Sequence, residues 1–186
     1  MKYKKIGIPI IVLMFSILLE VFCFNFNVFY SKLGKLQTNT YSMKDSELYN
    51  WSKTEDRIIS NNDPNIVIQD IDYELRNIAI IPETNQTIPY VEVFYTLENK
   101  DEPLIPEHKI TDNDKFNKIK IINIGKKVNS IRIDLGDDAG LELKDFKIIT
   151  NYYVFKINIW RIIFINIIFW GLKLLFALQK PPKYNI

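Results

Sequence analysis

The chain has 186 residues, 47% of them hydrophobic and 25% charged, with a formal net charge of +2; that is room for one domain of ordinary size plus anchors. Its basic residues are scattered among acidic ones with no patch, which excludes nucleic acid as a partner. The single cysteine, Cys23, sits inside an apolar run, so no disulfide framework supports the rest of the chain and thiol catalysis is excluded there.

Hydropathy divides the chain into three parts. Apolar residues pile up at Ile6 to Tyr30 and Ile157 to Leu178, while the stretch between reads as a water-soluble protein. The end segments are net positive, with Lys2, Lys4, Lys5, Arg161, Lys173, Lys180 and Lys183 against Glu20. Residues 31 to 156 carry 17 basic and 21 acidic side chains and are mildly acidic.

In chain order, residues 1–5 form a basic leader, and residues 6–30 are expected to be a first transmembrane helix. At 1.5 Å rise per residue, about 20 residues cross the hydrocarbon core, and this run exceeds that. It is longer than the apolar stretch of a cleaved signal peptide and no small-x-small site follows it, so the reading is an uncleaved signal anchor. Glu20 and Phe22 occupy positions where a lipoprotein signal at Cys23 needs small residues. Residues 31–60 read as a polar linker, with a short helix expected near Ser46 to Arg57.

Residues 61–152 are expected to form an antiparallel β-sandwich. Period-two alternation marks strands at Tyr90 to Leu97, with Val91, Val93, Tyr95 and Leu97 on one face, at Lys118 to Ile121, and at Ser130 to Gly136. Ile66 to Ile71 and Tyr73 to Ile81 add further strands. In Leu141 to Thr150 the apolar parity switches from Leu141 and Leu143 to Phe146 and Ile148, which suggests a bulge or turn at Lys144-Asp145. Turn residues mark breaks at Asn61 to Pro64, Pro82 to Pro89, Asp101 to Pro106 and Gly136 to Gly140. Many short strands with such punctuation argue for a sandwich.

Residues 157–178 are expected to be a second transmembrane helix. Arg161 and Lys173 sit near its ends, where long stems carry charge to the interface. Tyr152, Tyr153 and Trp160, with Tyr30 at the matching end of the first helix, resemble an aromatic belt. The basic flanks Lys2, Lys4 and Lys5, and Lys180 and Lys183 in the tail 179–186, place both termini on the cytoplasmic side and the middle domain outside the cell membrane. Measured from the cytoplasmic edge, Glu20 lies about 21 Å deep and Arg161 about 26 Å. The two either form an intramembrane pair or snorkel separately.

The stretch VNSIRIDLGDDAGLELKDFKIITN, residues 128 to 151, resembles the closing strands of galactose-binding-like jelly rolls, in which a strand ending I-x-I-D-x-G and a short glycine loop lead into a last strand. It also resembles the extracytoplasmic β-domains of Gram-positive polytopic envelope proteins of the lipid-linked sugar transferase type. The resemblance implies a jelly-roll-like sandwich between two membrane helices, in the cell envelope. Those enzymes carry many more spans than the two seen here, so their activity does not carry over.

Candidate chemistry is sparse. The sole histidine, His108, falls between proline-marked breaks and reads as a surface loop residue; without a base beside a nucleophile, hydrolase chemistry has no support. Asp70-x-Asp72 and Asp112-x-Asp114 are acidic loops more than metal-binding D-x-D motifs, and Glu55-Asp56 reads as a solvated acidic pair. Asp134, Asp137 and Asp138, around Gly136 and Gly140, are the candidates for holding Ca²⁺, against the plainer reading of an acidic turn. Asn50-x-Ser52 and Asn85-x-Thr87 are formal glycosylation sequons, a pattern short enough to arise by chance. No nucleotide or redox fingerprint occurs and no cofactor is implied. Trp51, Tyr90 and Tyr95 are the aromatics available for stacking on sugars or for the core. The expected function is a membrane-anchored, non-catalytic binding or accessory module whose partners are the lipid bilayer and either an envelope glycan or a polytopic membrane protein. The alternative is a fragment or subunit of a lipid-linked sugar transferase.

Overall fold

A computed structural model describes residues 3–97 and 106–178; the first two residues, most of the Asp101 to Pro106 break, and the tail 179–186 with Lys180 and Lys183 lie outside them. The chain divides into two compact units, Gly34–Tyr152 and a helical unit made from both flanks.

The first unit is mainly β, an antiparallel two-sheet sandwich. Its strands are β1 (Thr40–Ser42), β2 (Glu47–Lys53), β3 (Ile58–Ile68), β4 (Tyr73–Glu83), β5 (Val91–Thr96), β6 (Lys109–Asp112), β7 (Lys120–Val128), β8 (Ser130–Asp134), β9 (Glu142–Leu143) and β10 (Asp145–Thr150). One sheet has the order β1-β10-β4-β7; the other runs β2-β3-β8-β5-β6, with β9 also paired to β3. Alternation explains the core. Val91 and Val93 of β5 and Ile131 and Ile133 of β8 all point inward and are fully buried, meeting Leu75, Ile78 and Ile80 of β4 and Phe146 and Ile148 of β10. Twenty buried apolar side chains form this one cluster, enough apolar burial to hold a sandwich without disulfides.

The expected helix near Ser46 to Arg57 is instead the strand β2, paired to β3 from Glu47↔Val67 to Lys53↔Ile58. Leu48 and Trp51 pack on the core while Tyr49 faces outward; a bulge at Asn50, whose φ is +62°, breaks the alternation and disguises the strand. The expected break at Asn61 to Pro64 is also not a turn. Ser60 pairs with Trp51 and Asn65 with Tyr49, so the polar residues between them bulge out of a continuous β3. Ile119 and Ile121, expected to face the core, are 42% and 46% exposed, and Ile122 and Val128 are buried in their place.

The parity switch in Leu141 to Thr150 has a larger cause than a bulge. Glu142–Leu143 belongs to one sheet and pairs with Ile58–Ile59; Asp145–Thr150 belongs to the other and pairs with Ile78–Glu83. The chain changes sheet at Lys144, whose N–H donates to the Glu83 carbonyl at 2.9 Å.

The helical unit contains α1 (Tyr3–Leu18), a π turn at Leu19–Cys23, α2 (Phe26–Lys32) and α3 (Ile159–Leu178). The unbroken helix expected over residues 6–30 is therefore interrupted. Asn25 leaves helical geometry at φ −107°, ψ 17°, and its side-chain amide donates to the Glu20 carbonyl at 2.7 Å. A short amide side chain competing for backbone groups breaks a helix in this way, and the axis bends by 47° there. Among the described residues, α3 is the one straight helix long and apolar enough to cross a membrane; α1 and α2 qualify only as a bent pair.

Candidate functional site

A polar concavity of the sandwich lies where the β2–β3 turn, the end of β4 and the β9–β10 corner meet. It has a volume of about 310 Å³ and is lined by Arg57, Pro82, Glu83, Thr84, Asn85, Gln86, Glu142 and Lys144.

Each wall is set by local structure. The β2–β3 turn closes through the Thr54 N–H and hydroxyl, both donating to the Arg57 carbonyl at 2.9 Å, and this presents the Arg57 side chain to the cleft. Its Nη1 lies 2.8 Å from Glu142 Oε2, and its Nε and Nη2 hold Asp56 at 3.1 and 3.0 Å. These bonds, to Asp56 first and Glu142 second, raise the guanidinium further above its ordinary range and lower the Asp56 carboxyl. Gln86 braces the opposite wall: its amide nitrogen donates to the Gly140 carbonyl at 3.2 Å, and its oxygen accepts from the Glu142 N–H at 2.8 Å. A turn at Thr84 to Gln86, closed by the Thr84 hydroxyl at 3.0 Å, carries Asn85 on its tip.

The cleft sits at one end of the strands, and the first and last residues of the sandwich segment sit at the other. Asn39 and Thr150 exchange hydrogen bonds, and the Asn151 side chain donates to the carbonyls of Gln37 and Glu74 at 2.8 and 2.9 Å. From Glu74 to Glu83, β4 then runs roughly 30 Å to the cleft.

Other candidates fare differently. Asp134 is buried and held bidentately by Arg132, both bonds at 2.8 Å; burial nevertheless raises its carboxyl above the usual range. Burial, and next the neighbouring Asp137 carboxylate, push the Tyr90 hydroxyl up. Asp138 takes part through its carbonyl, accepting from Ser60 at 2.9 Å. The three aspartates thus do not converge, and among the described residues no group of three ligating side chains is placed to hold a metal ion. Asp112 is paired with Lys120 at 2.6 Å and Asp72 with Lys127 at 2.8 Å. His108, expected on the surface, is half-buried and stacked on Tyr95 at 5.2 Å.

The aromatics expected to offer stacking are also occupied. Tyr95 is buried, and Trp51 packs on the core with its indole N–H on the Asn65 carbonyl at 3.2 Å. Phe94, on the outer face of β5, lies under the Arg132 guanidinium at 5.3 Å and Lys109 at 5.6 Å. Tyr49 is the exposed ring of that sheet, its hydroxyl donating to Glu47 at 2.7 Å. Sequence reasoning missed it because β2 was read as helical, and it missed the cleft because Arg57, Gln86 and Lys144 lie far apart in sequence with no motif among them.

Glu20 and Arg161 are brought together in the helical unit. Arg161 Nε lies 3.5 Å from Glu20 Oε2, and the Asn158 N–H donates to Oε1 at 2.9 Å. Asn25 joins the same knot by exchanging bonds with the backbone of Lys156, at 3.2 and 2.9 Å. Ser16 accepts from Asn166 at 2.9 Å one turn further along.

The fold and cleft define a class: a two-sheet antiparallel sandwich with a polar, non-aromatic cleft at one end. No family model and no curated protein matches the sequence. Among solved structures, the chain is similar to the CBM35 module of Paenibacillus barcinonensis, at 12% identity over 59% of this chain and 97% of that one, with a TM-score of 0.40. It is also similar to CBM86, a low-affinity xylan-binding module of Roseburia intestinalis, at 6% identity over 68% and 99% with a TM-score of 0.43. A family 35 carbohydrate-binding module of Clostridium thermocellum aligns at 14% identity over 61% and 98%, with a TM-score of 0.34. The sandwich itself is established by its own strand order and register.

Proposed function

We propose that this protein is a membrane-anchored, non-catalytic module that holds a jelly-roll-like sandwich outside the cell and binds an envelope glycan in the cleft at its far end. The observation that carries this reading is the position and chemistry of that cleft. Sugar hydroxyls both donate and accept, and the walls supply donors from Arg57, Lys144 and Asn85 beside acceptors from Glu83, Glu142 and Thr84. A cleft roughly 30 Å from the tethered ends is open to an extended ligand. Anchoring rests on the two apolar helical segments that bracket the sandwich, and orientation on their basic flanks.

The test is calorimetric titration of the detergent-solubilised full chain with a panel of envelope and plant-wall oligosaccharides. A binder weakened at least tenfold by Arg57→Ala, with Tyr49→Ala neutral, supports the cleft; loss through Tyr49→Ala alone moves the site to the sheet face. Absence of any glycan binding, with a polytopic protein retained on purification, replaces this reading with that of an accessory subunit.

A further inference from the structure

Arg161 carries more than its pairing with Glu20. Glu20 is fully buried and its Oε2 lies 3.5 Å from Arg161 Nε. Phe24 covers one face of the guanidinium at 4.2 Å. Arg161 also lines a pocket of about 470 Å³ together with Asn158, Trp160, Ile163, Phe164 and Ile167. Trp160 is 78% exposed beside it, and Lys156, whose backbone is tied into the same polar knot, has an exposed side chain. With Glu20 counted, this end of the helix pair keeps a net positive charge. The polar end then passes into an apolar groove. Ile163 and Ile167 also line a second concavity of about 550 Å³ that continues along α3 past Trp170 and Gly171 to Leu174. From Arg161 to Leu174 is roughly 20 Å of helix, a little more than the ~15 Å of hydrocarbon in one leaflet.

From this amphipathic shape we infer a binding site for one anionic phospholipid, its phosphate on Arg161 and Asn158 and an acyl chain along Ile163, Ile167 and Leu174. A cation at the mouth of an apolar groove one leaflet long complements a phosphate with a chain attached, which free phosphate does not satisfy, and the net positive charge left at this end disfavours the choline cation of a zwitterionic lipid. The site rests on the membrane reading above, and it adds a headgroup preference that anchoring alone does not require.

The full chain reconstituted in nanodiscs of mixed phosphatidylglycerol and phosphatidylcholine, then released for native mass spectrometry, reads out the bound lipid. The expected result is about fivefold enrichment of phosphatidylglycerol over the bulk ratio, the factor worth one basic residue at an anionic surface. Arg161→Gln would strand Glu20, so the variant of choice is Glu20→Gln with Arg161→Gln, which removes both charges and abolishes the enrichment. Glu20→Gln alone frees the guanidinium and raises it, while Lys173→Gln, at the other end of α3, leaves it unchanged. Excess inorganic phosphate does not displace the lipid. Retention in the bilayer after alkaline extraction with no headgroup preference, or preference surviving the double variant, overturns the lipid site alone. Release by alkaline extraction overturns the membrane reading and the site together.

Discussion

The two units of this protein are built inside out with respect to each other. In the sandwich, Ile66, Leu75, Ile133 and Phe146 are buried and, apart from Asp134, the charges of the described residues are outside the core. In the helical unit Ser16, Glu20 and Asn25 are buried beside Val12 and Val28, while Ile11, Phe15, Phe164 and Leu174 are more than half exposed. Burial of apolar side chains is the rule where water is the solvent. The reverse arrangement, with polar groups turned inward to satisfy one another, is what an apolar solvent demands. On the membrane-anchored reading proposed above, one chain meets two solvents, and the same residue type has opposite value in each.

Matched substitutions test that contrast. Ile133→Ala in the sandwich is expected to cost about 2–5 kcal/mol, while Ile167→Ala on the outer side of α3 stays within about 0.5 kcal/mol. Denaturant titration followed by tryptophan fluorescence, with detergent held constant, measures both; equal costs would remove the distinction. Asn151→Ala comes next. Its buried side chain makes three hydrogen bonds, to Gln37, Glu74 and the Arg76 N–H, and its φ of +51° disfavours alanine, so a loss of roughly 2–3 kcal/mol is expected. In the helical unit, Asn25→Ala should cost about 1–2 kcal/mol, the worth of a buried side-chain hydrogen bond. Its marker is a straighter helix, seen as a changed spin-label distance between the ends of α1 and α2.

The smallest expected effect is on pH dependence, and it belongs to the sandwich alone. The bond from Lys120 holds the Asp112 carboxyl below its ordinary value of 3.8. A depressed carboxyl contributes stability that is present above the unfolded pKa and is lost as pH falls through the folded one. Asp112→Asn should therefore lower stability slightly across the neutral region, where the pair contributes, and flatten the profile below about pH 4, where the wild type has already lost it; an unaltered acid limb would show that the pair contributes nothing.

Legibility in the sequence followed burial. Ser130 to Gly136 and Tyr90 to Leu97 were readable because each strand has one face in the core, so alternation records it directly. Edge and bulged strands were not. β2 is an edge strand whose Asn50 bulge shifts the parity, and Ile119 and Ile121 sit outward where composition alone assigns them inward. The Leu141 to Thr150 switch was visible, but a change of parity cannot distinguish a bulge from a crossing between sheets. The Glu20–Arg161 contact was foreseeable from depth along two helices, whereas the Asn25 break was hidden because residues 6–30 stay apolar through it. The cleft gathers side chains from three separate loops and left no local trace.

The return of both ends of the sandwich segment to one end of the sheets has a mechanical consequence. A load applied at Arg57 or Glu142 and resisted at Gln37 and Asn151 runs lengthwise along β4 and β10. Their register from Ile78↔Thr150 to Glu83↔Asp145 is then sheared as a block and not peeled one bond at a time. β1, pinned to β10 beside the lower anchor, closes the circuit so that tension divides between two tethers. The sandwich is braced along the direction in which a ligand at its tip would pull.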